Sequence, residues 1–217
     1  MANRIIDGIE VIVSDEEQYL QINDISGSDL TKIWVTIKND YTLYEKWICY
    51  HNYTEIPFEF LDEIGAVLED NSIETRLTFD NFICSEVFGV VRVTEENFDE
   101  FAVYHGNCNP DCGAKSERIR RNLSRWGIFA LLSNNKITDY IIISMGNTMQ
   151  AEIFCVEASD MVKCEKLIIF AAKYAFNSGK SEVLYMADEN TIAHKTALSV
   201  GFVNAGFYKG YEIKRTN

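Results

Sequence analysis

The spacing of hydrophobic and polar positions changes along the chain, and each change marks an element. IEVIV (Ile9–Val13) opens a β-rich stretch. IWVTI (Ile33–Ile37) and WICY (Trp47–Tyr50) are runs of β-branched and aromatic residues, which predicts two strands. Pro57 opens PFEFLDEIGAVLED, where Phe60, Ile64, Val67 and Leu68 recur at helical spacing and proline stands early, where helices accept it. Thr75–Thr78 is a further short strand. This region is either an independent small domain or a degenerate half-copy of the C-terminal region.

From Val87 the alternation is stronger. VFGVVRV (Val87–Val93) predicts a strand, and TEENF a helix start capped by Thr94 with Glu95 and Glu96 in its first turn. That helix should run to about His105. GNCNPDCG is a loop by its turn formers, and Lys115–Arg125 a basic helix. Strands follow at Gly127–Leu132, Ile137–Met145 and Ala151–Val156, broken at SNN and GNT. Val162–Phe176 is apolar nearly all round, as in a helix buried on a sheet. Val183–Ala187 is a strand, Asn190–Val200 a helix closed by Gly201, and Ala205–Ile213 the last strand. The crossover from Ala151–Val156 to Val183–Ala187 predicts a parallel pair. The pattern therefore predicts an α/β chain with a mixed sheet, divided into a β-rich N-terminal region with one helix (1–86) and a C-terminal domain (87–217).

Composition narrows the function classes. Among 217 residues, 47% are hydrophobic, ample for a packed core and contrary to disorder. The formal net charge of -13 repels a phosphate backbone, so nucleic acid is not expected as a partner; the acidic surface either attracts amines and basic peptides or simply keeps the protein in solution. No apolar run approaches the roughly 20 residues that span a bilayer. MANRIIDGIEVIV carries acids too early for a secretory leader. The expectation is a cytoplasmic protein with reduced thiols and no membrane partner; self-association as a homodimer is left open. Cys49 and Cys155 sit within apolar runs, as small buried side chains do. Cys108 and Cys112 lie near His105, but the usual zinc spacings are not matched and no metal is expected.

The element order from Val87, together with NTIAHKTALSVGF (Asn190–Phe202), resembles the GNAT superfamily of N-acetyltransferases. Asn190, Ala193, Gly201 and Phe202 fall in register with the family pattern of Asn, two residues, Ala, then Gly-Phe at the helix end. The resemblance implies an acyl-CoA N-acyltransferase fold in which two parallel strands splay and the pantetheine arm of acetyl-coenzyme A pairs with the freed backbone. Here that would involve Phe154, Cys155 and Val156. The pyrophosphate would lie on the helix start at Val162, Lys163, Cys164, Glu165 and Lys166, with Asn190 nearby, because helix N-termini favour anions without a metal.

The sequence departs from the family twice. The phosphate loop usually has Arg or Gln, two residues, Gly, one residue, then Gly or Ala. In register this chain has Met161 to Lys166, and neither small position is kept, so a Cβ stands where backbone would approach phosphate. Lys163 and Lys166 can supply charge instead, with Glu165 opposing them. The tyrosine acid of many members is Ala197 here. Three residues earlier, His194 is a candidate acid. Glu152 and Glu157 are candidate bases, on opposite faces by strict alternation. Arg118, Arg120, Arg121 and Arg125 form either an acceptor carboxylate site or a solvated face. The function implied is acetyl transfer from acetyl-coenzyme A to a small-molecule or peptide amine. The alternatives are a non-catalytic GNAT-fold protein used for binding or assembly, or an interaction module working through its acidic N-terminal region.

Overall fold

Asp7 and Gly8 have φ of 49° and 86°, the left-handed pair that a two-residue hairpin needs. They join β1 (Ala2–Ile6) to β2 (Ile9–Ser14), paired antiparallel up to Ile6–Ile9. The computed structural model describes residues 2–16, 18–51, 56–110 and 115–213. β3 (Tyr19–Asn23) continues the antiparallel run, α1 (Gly27–Asp40) crosses over, and β4 (Glu45–His51) returns parallel to β3. α2 (Phe58–Glu63) and β5 (Ala66–Thr78) come next.

Two expectations for this region are corrected. IWVTI lies inside α1, not in a strand. Leu30, Ile33 and Ile37 are fully buried at helical spacing, and Ser26 caps the helix by accepting from the Asp29 N–H at 3.2 Å. Burial of that stripe outweighs the weak strand preference of its β-branched residues. The helix opened by Pro57 ends at Glu63, because Gly65 takes φ of 69° and turns the chain into β5, leaving Val67 and Leu68 in a strand.

The rest keeps the expected order: β6 (Val90–Arg92), α3 (Phe98–Cys108), α4 (Ser116–Arg121), β7 (Trp126–Ser133), β8 (Lys136–Ser144), β9 (Gln150–Glu157), α5 (Met161–Asn177), β10 (Glu182–Asp188), α6 (Ile192–Val200) and β11 (Val203–Ile213). The strand expected at Val87–Val93 is shorter, since Gly89 at φ 83° precedes it. Thr94 makes the expected cap, as a capping box with Asn97. The GNCNPDCG loop falls partly outside the described residues.

The chain forms two compact units, Met1–Ile73 with Gly206–Asn217, and Glu74–Ala205. The sequence pattern places a single division at 86/87 instead. The difference has a plain source: β11 pairs antiparallel with β4, from Tyr208–His51 to Ile213–Lys46, so the last strand completes the first unit. In the second unit the strand order is β5-β10-β9-β8-β7-β6. There Thr75 of β5 donates its hydroxyl to the Tyr185 carbonyl of β10 at 2.9 Å. Each unit has its own core. The first gathers Leu20, Ile22, Leu30, Ile33, Ile37 and Ile48. The second has one layer under α5 and α6 (Ile141, Ile153, Leu167, Ile168, Val183, Val200) and another under α3 and α4 (Phe98, Phe101, Ile119, Ile128, Tyr140, Ile142). No helix among the described residues is long and apolar enough to cross a membrane.

Candidate functional site

β9 and β10 pair parallel, as expected, but only over four rungs, from Gln150–Glu182 to Ile153–Tyr185. Phe154–Glu157 of β9 and Met186–Asp188 of β10 lie beyond the ladder. The opening coincides with a bulge on the other edge of β9: Ile143 faces Ile153 and Ile142 faces Cys155, so Phe154 is the extra residue. A bulge bends its strand and sharpens the twist, which swings the end of β9 away from its neighbour. The Phe154 ring packs edge-on to Trp126 with centroids 5.1 Å apart.

The bulge also overturns the strict alternation expected for the two glutamates. The pairs Ser144–Glu152, Ile142–Cys155 and Tyr140–Glu157 lie on one face, that of α3 and α4. Glu152 sits on the closed stretch opposite Leu184, whereas Glu157 ends β9 at the open stretch. Asn109, just past α3, donates to Glu157 Oε2 at 3.0 Å and to the Tyr140 hydroxyl at 2.8 Å. That hydroxyl lies 2.6 Å from His105 Nδ1, and Cys155 Sγ is 3.7 Å from it. His105 and Tyr140 are buried, and the His105 ring stacks on Phe101. The result is a polar chain from the buried layer to a carboxylate at the mouth of the gap, and only Glu157 and Cys155 of it are candidates from sequence.

The start of α5 is built differently from a phosphate cradle. Asp160 caps the helix and takes the Lys163 N–H at 2.9 Å, while the Cys164 N–H goes to the Asp160 carbonyl at 3.0 Å. Asp139, fully buried on β8, takes the Ser159 N–H at 2.7 Å, the Ser159 hydroxyl at 2.8 Å, the Thr138 hydroxyl at 2.6 Å and Lys163 Nζ at 3.0 Å. Burial alone would raise the Asp139 carboxyl, but the bonds from Thr138, Ser159 and Lys163 outweigh it and hold the group below its ordinary value. Val162, Glu165 and Lys166 are exposed. Cys164 is buried, and burial pushes its thiol up to about 11, so it is a neutral packing group. Beyond Ile153, β9 is no longer in the ladder with β10. At the α5 turn the Ser159 and Lys163 N–H groups are bonded to carboxylates.

At the far side, Thr191 caps α6 by accepting from the His194 N–H at 3.2 Å. His194 is buried; its Nδ1 accepts from the Asn190 N–H at 3.3 Å and its Nε2 meets Asn204 Oδ1 at 3.1 Å. Both ring nitrogens are thus engaged, Nδ1 on the β10–α6 turn, where Asn190 takes φ of 65°, and Nε2 on β11. Ala197 is fully buried in the core layer. Gly201 takes φ of 109°, and a Cβ there would meet the Asn81 carbonyl oxygen at 2.0 Å. Arg120 is committed to Glu95 and Asp99 and lies over the Phe98 ring; Arg118, Arg121 and Arg125 are exposed. Cys108 is exposed and Cys112 lies outside the described residues.

No family model matches the sequence, and no curated protein matches it. Solved structures do. A GCN5-related N-acetyltransferase from Kribbella flavida is similar over 98% of this chain and 89% of its own, at a TM-score of 0.70 and 10% identity. One from Sphaerobacter thermophilus covers 94% of this chain and 75% of its own, at 0.68 and 12%. N-myristoyltransferase of Saccharomyces cerevisiae, solved with bound myristoyl-CoA, covers 96% of this chain and 62% of its own, at 0.60 and 11%. The chain has the fold of the GNAT acyltransferases, a mixed α/β fold with a large mixed sheet, as its element order implied. At such identities the fold is what is shared.

Proposed function

We propose that the chain is an acetyl-coenzyme A-dependent N-acetyltransferase acting on a small-molecule or peptide amine in the cytoplasm. The observation that carries this is the β9–β10 ladder opening after Ile153 and Tyr185 beside the Phe154 bulge. Where a parallel pair opens, a ligand that itself carries amides can add along the strand. The donor arm would run along Phe154, Cys155 and Val156, toward the α5 start at Val162–Lys166 and the Asn190 turn.

An acceptor amine, with an ordinary pKa of about 10, must lose a proton before it attacks. Glu157 is the base of this proposal, reached directly or through one water. Asn109, itself bonded to the Tyr140 hydroxyl, holds its carboxylate, and Glu152, on the closed stretch, is the alternative. His194 serves to hold the Asn190 turn, its ring nitrogens being engaged. The net charge of -13 favours a cationic acceptor.

A second function, binding or assembly without catalysis, is favoured by two specific observations. Ala197 is sealed in the core, so no phenol stands at the family's acid position, and carboxylates occupy the α5 turn. Thermal shift with acetyl-coenzyme A, coenzyme A and buffer, run beside acetylation of an amine panel, separates the two. A shift with acetylated product supports the enzyme. A shift without product supports the non-catalytic protein, and neither shift nor product refutes donor binding altogether.

A further inference from the structure

We propose that His105, Tyr140 and Asn109 act as one unit of positioning residues behind Glu157: the buried pair sets which way the Asn109 amide faces, and the amide aims the carboxylate. The proposal rests on the acyltransferase function above, with Glu157 as its base, and deepens it by assigning roles to the side chains that hold that base.

The end of α3 brings the unit together. His105 and Asn109 stand one helical turn apart, and the Asn109 backbone N–H donates to the His105 carbonyl at 2.9 Å. Both side chains reach the Tyr140 hydroxyl on β8, His105 Nδ1 at 2.6 Å and Asn109 Nδ2 at 2.8 Å. Tyr140 and His105 are buried. Phe101 holds both rings, stacked on the imidazole at 5.3 Å and edge-on to the phenol at 5.4 Å. Rings packed this closely keep one orientation, so the hydroxyl stays where the two α3 side chains meet it.

The protons set the direction of each bond. Asn109 Nδ2 carries two, one for Glu157 Oε2 at 3.0 Å and one for the Tyr140 oxygen. Turned over, the amide would set its carbonyl oxygen against the carboxylate, so the carboxylate selects the orientation. The 2.6 Å contact is shorter than the ~2.7 to ~3.2 Å usual for N–H donors and lies within the hydroxyl range of ~2.5 to ~3.0 Å. This assigns the phenol as donor to His105 Nδ1, and His105 as a neutral ring with its proton on Nε2. Donation by the phenol makes its oxygen a stronger acceptor for the Asn109 amide. Without an acceptor at Nδ1, the phenol proton turns toward Asn109, and the amide that flips to receive it leaves Glu157 without its donor.

The test joins nitrogen NMR of the histidine-labelled full chain to steady-state kinetics with acetyl-coenzyme A and the amine acetylated fastest in the panel. Of the three histidines, the signal lost in His105→Asn is that of His105. At pH 7 its Nδ1 should read as an unprotonated acceptor and its Nε2 as protonated. A proton on Nδ1 overturns the proposal and leaves the acyltransferase function standing. Asn109→Ala should lower kcat about 10- to 100-fold, the scale of a misplaced reacting group, with both KM values within about twofold. His105→Asn keeps an acceptor near the Nδ1 position and should stay within about threefold of wild-type kcat, whereas His105→Leu should fall as Asn109→Ala does. Circular dichroism checks folding, and Asn109, only partly buried, carries the test if His105→Leu does not fold. Wild-type kcat in Asn109→Ala or in folded His105→Leu, or equal losses in the two His105 variants, overturns the proposal. A wild type that forms no acetylated product removes the acyltransferase function, and this proposal with it.

Discussion

In the first unit, three antiparallel strands lead through α1 to a parallel fourth, then α2 and β5. Farther along the chain, β7, β8 and β9 lead through α5 to parallel β10, then α6 and β11, the strand that completes the first unit. The same plan yields two different strand pairs. β3 and β4 pair from Tyr19–Glu45 to Asn23–Cys49, the whole of β3, and the Asp24 N–H extends the contact to the Cys49 carbonyl at 2.8 Å. β3 meets β2 without a register shift, whereas β9 carries the Phe154 bulge and outruns its ladder. The two stretches share an element order, yet they differ in that β9 carries a bulge and outruns its parallel ladder. A shared topology supplies the strand pair, and one inserted residue accompanies its opening.

The largest expected effect lies at that opening. Glu157→Gln keeps the shape and the Asn109 contact but cannot take a proton. Turnover should fall about 100- to 10,000-fold, with donor binding unchanged. Glu152→Gln, on the closed stretch, should stay within about threefold of wild type, since general-base help needs contact with the proton. Steady-state rates of the two variants, with calorimetry for donor binding, decide between them. A loss confined to Glu152→Gln would move the base to the closed stretch.

Next in size is the turn that ends each helix–strand plan. Gly65 after α2 and Gly201 after α6 both take positive φ, but a Cβ at Gly65 meets nothing within 4 Å while one at Gly201 meets the Asn81 carbonyl oxygen at 2.0 Å. Gly65→Ala should therefore cost about 1 kcal/mol, the left-handed strain alone. Gly201→Ala should cost roughly 3 kcal/mol or more, since backbone must also shift. Urea unfolding of both variants measures the difference; equal costs would show that strain, not the close approach, fixes Gly201.

The contrast also explains what can be read from sequence. β9, α5, β10 and α6 are legible because long apolar runs bounded by turn residues leave few alternatives. The start of α5 is legible as a departure, since Cys164 and Lys166 replace small residues. IWVTI misleads because Trp34, Val35 and Thr36 favour a strand locally, while Leu30, Ile33 and Ile37 are buried as one stripe. The bulge has no local signal in AEIFCVE, and with it the shared face of Glu152 and Glu157 is hidden. The Asn109 contacts join residues 31 and 48 positions apart, which only the fold brings together. Asp139 reads as one polar residue in a strand; its role appears once Ser159 and Lys163 are placed around it.

The smallest effect concerns that carboxylate, and it separates the two helix starts by pH. α1 is capped by neutral Ser26, whereas α5 depends on Asp160 and, through Ser159 and Lys163, on Asp139. The Asp139 carboxyl is held below its ordinary value in the folded chain, so the unfolded chain binds its proton more readily. Its contribution is therefore complete above the ordinary aspartate value of about 3.9 and is lost as pH falls through the lower folded value. Asp139→Asn removes the charge but keeps the size. At pH 7 it should cost about 2 kcal/mol, the scale of hydrogen bonds to a buried charged group. The gap from wild type should hold down to about pH 4 and narrow only below it. Urea unfolding of both proteins at pH 7, 5 and 3 reads this directly. An Asn variant as stable as wild type at pH 7 would mean that the α5 turn is not held by the Asp139 charge.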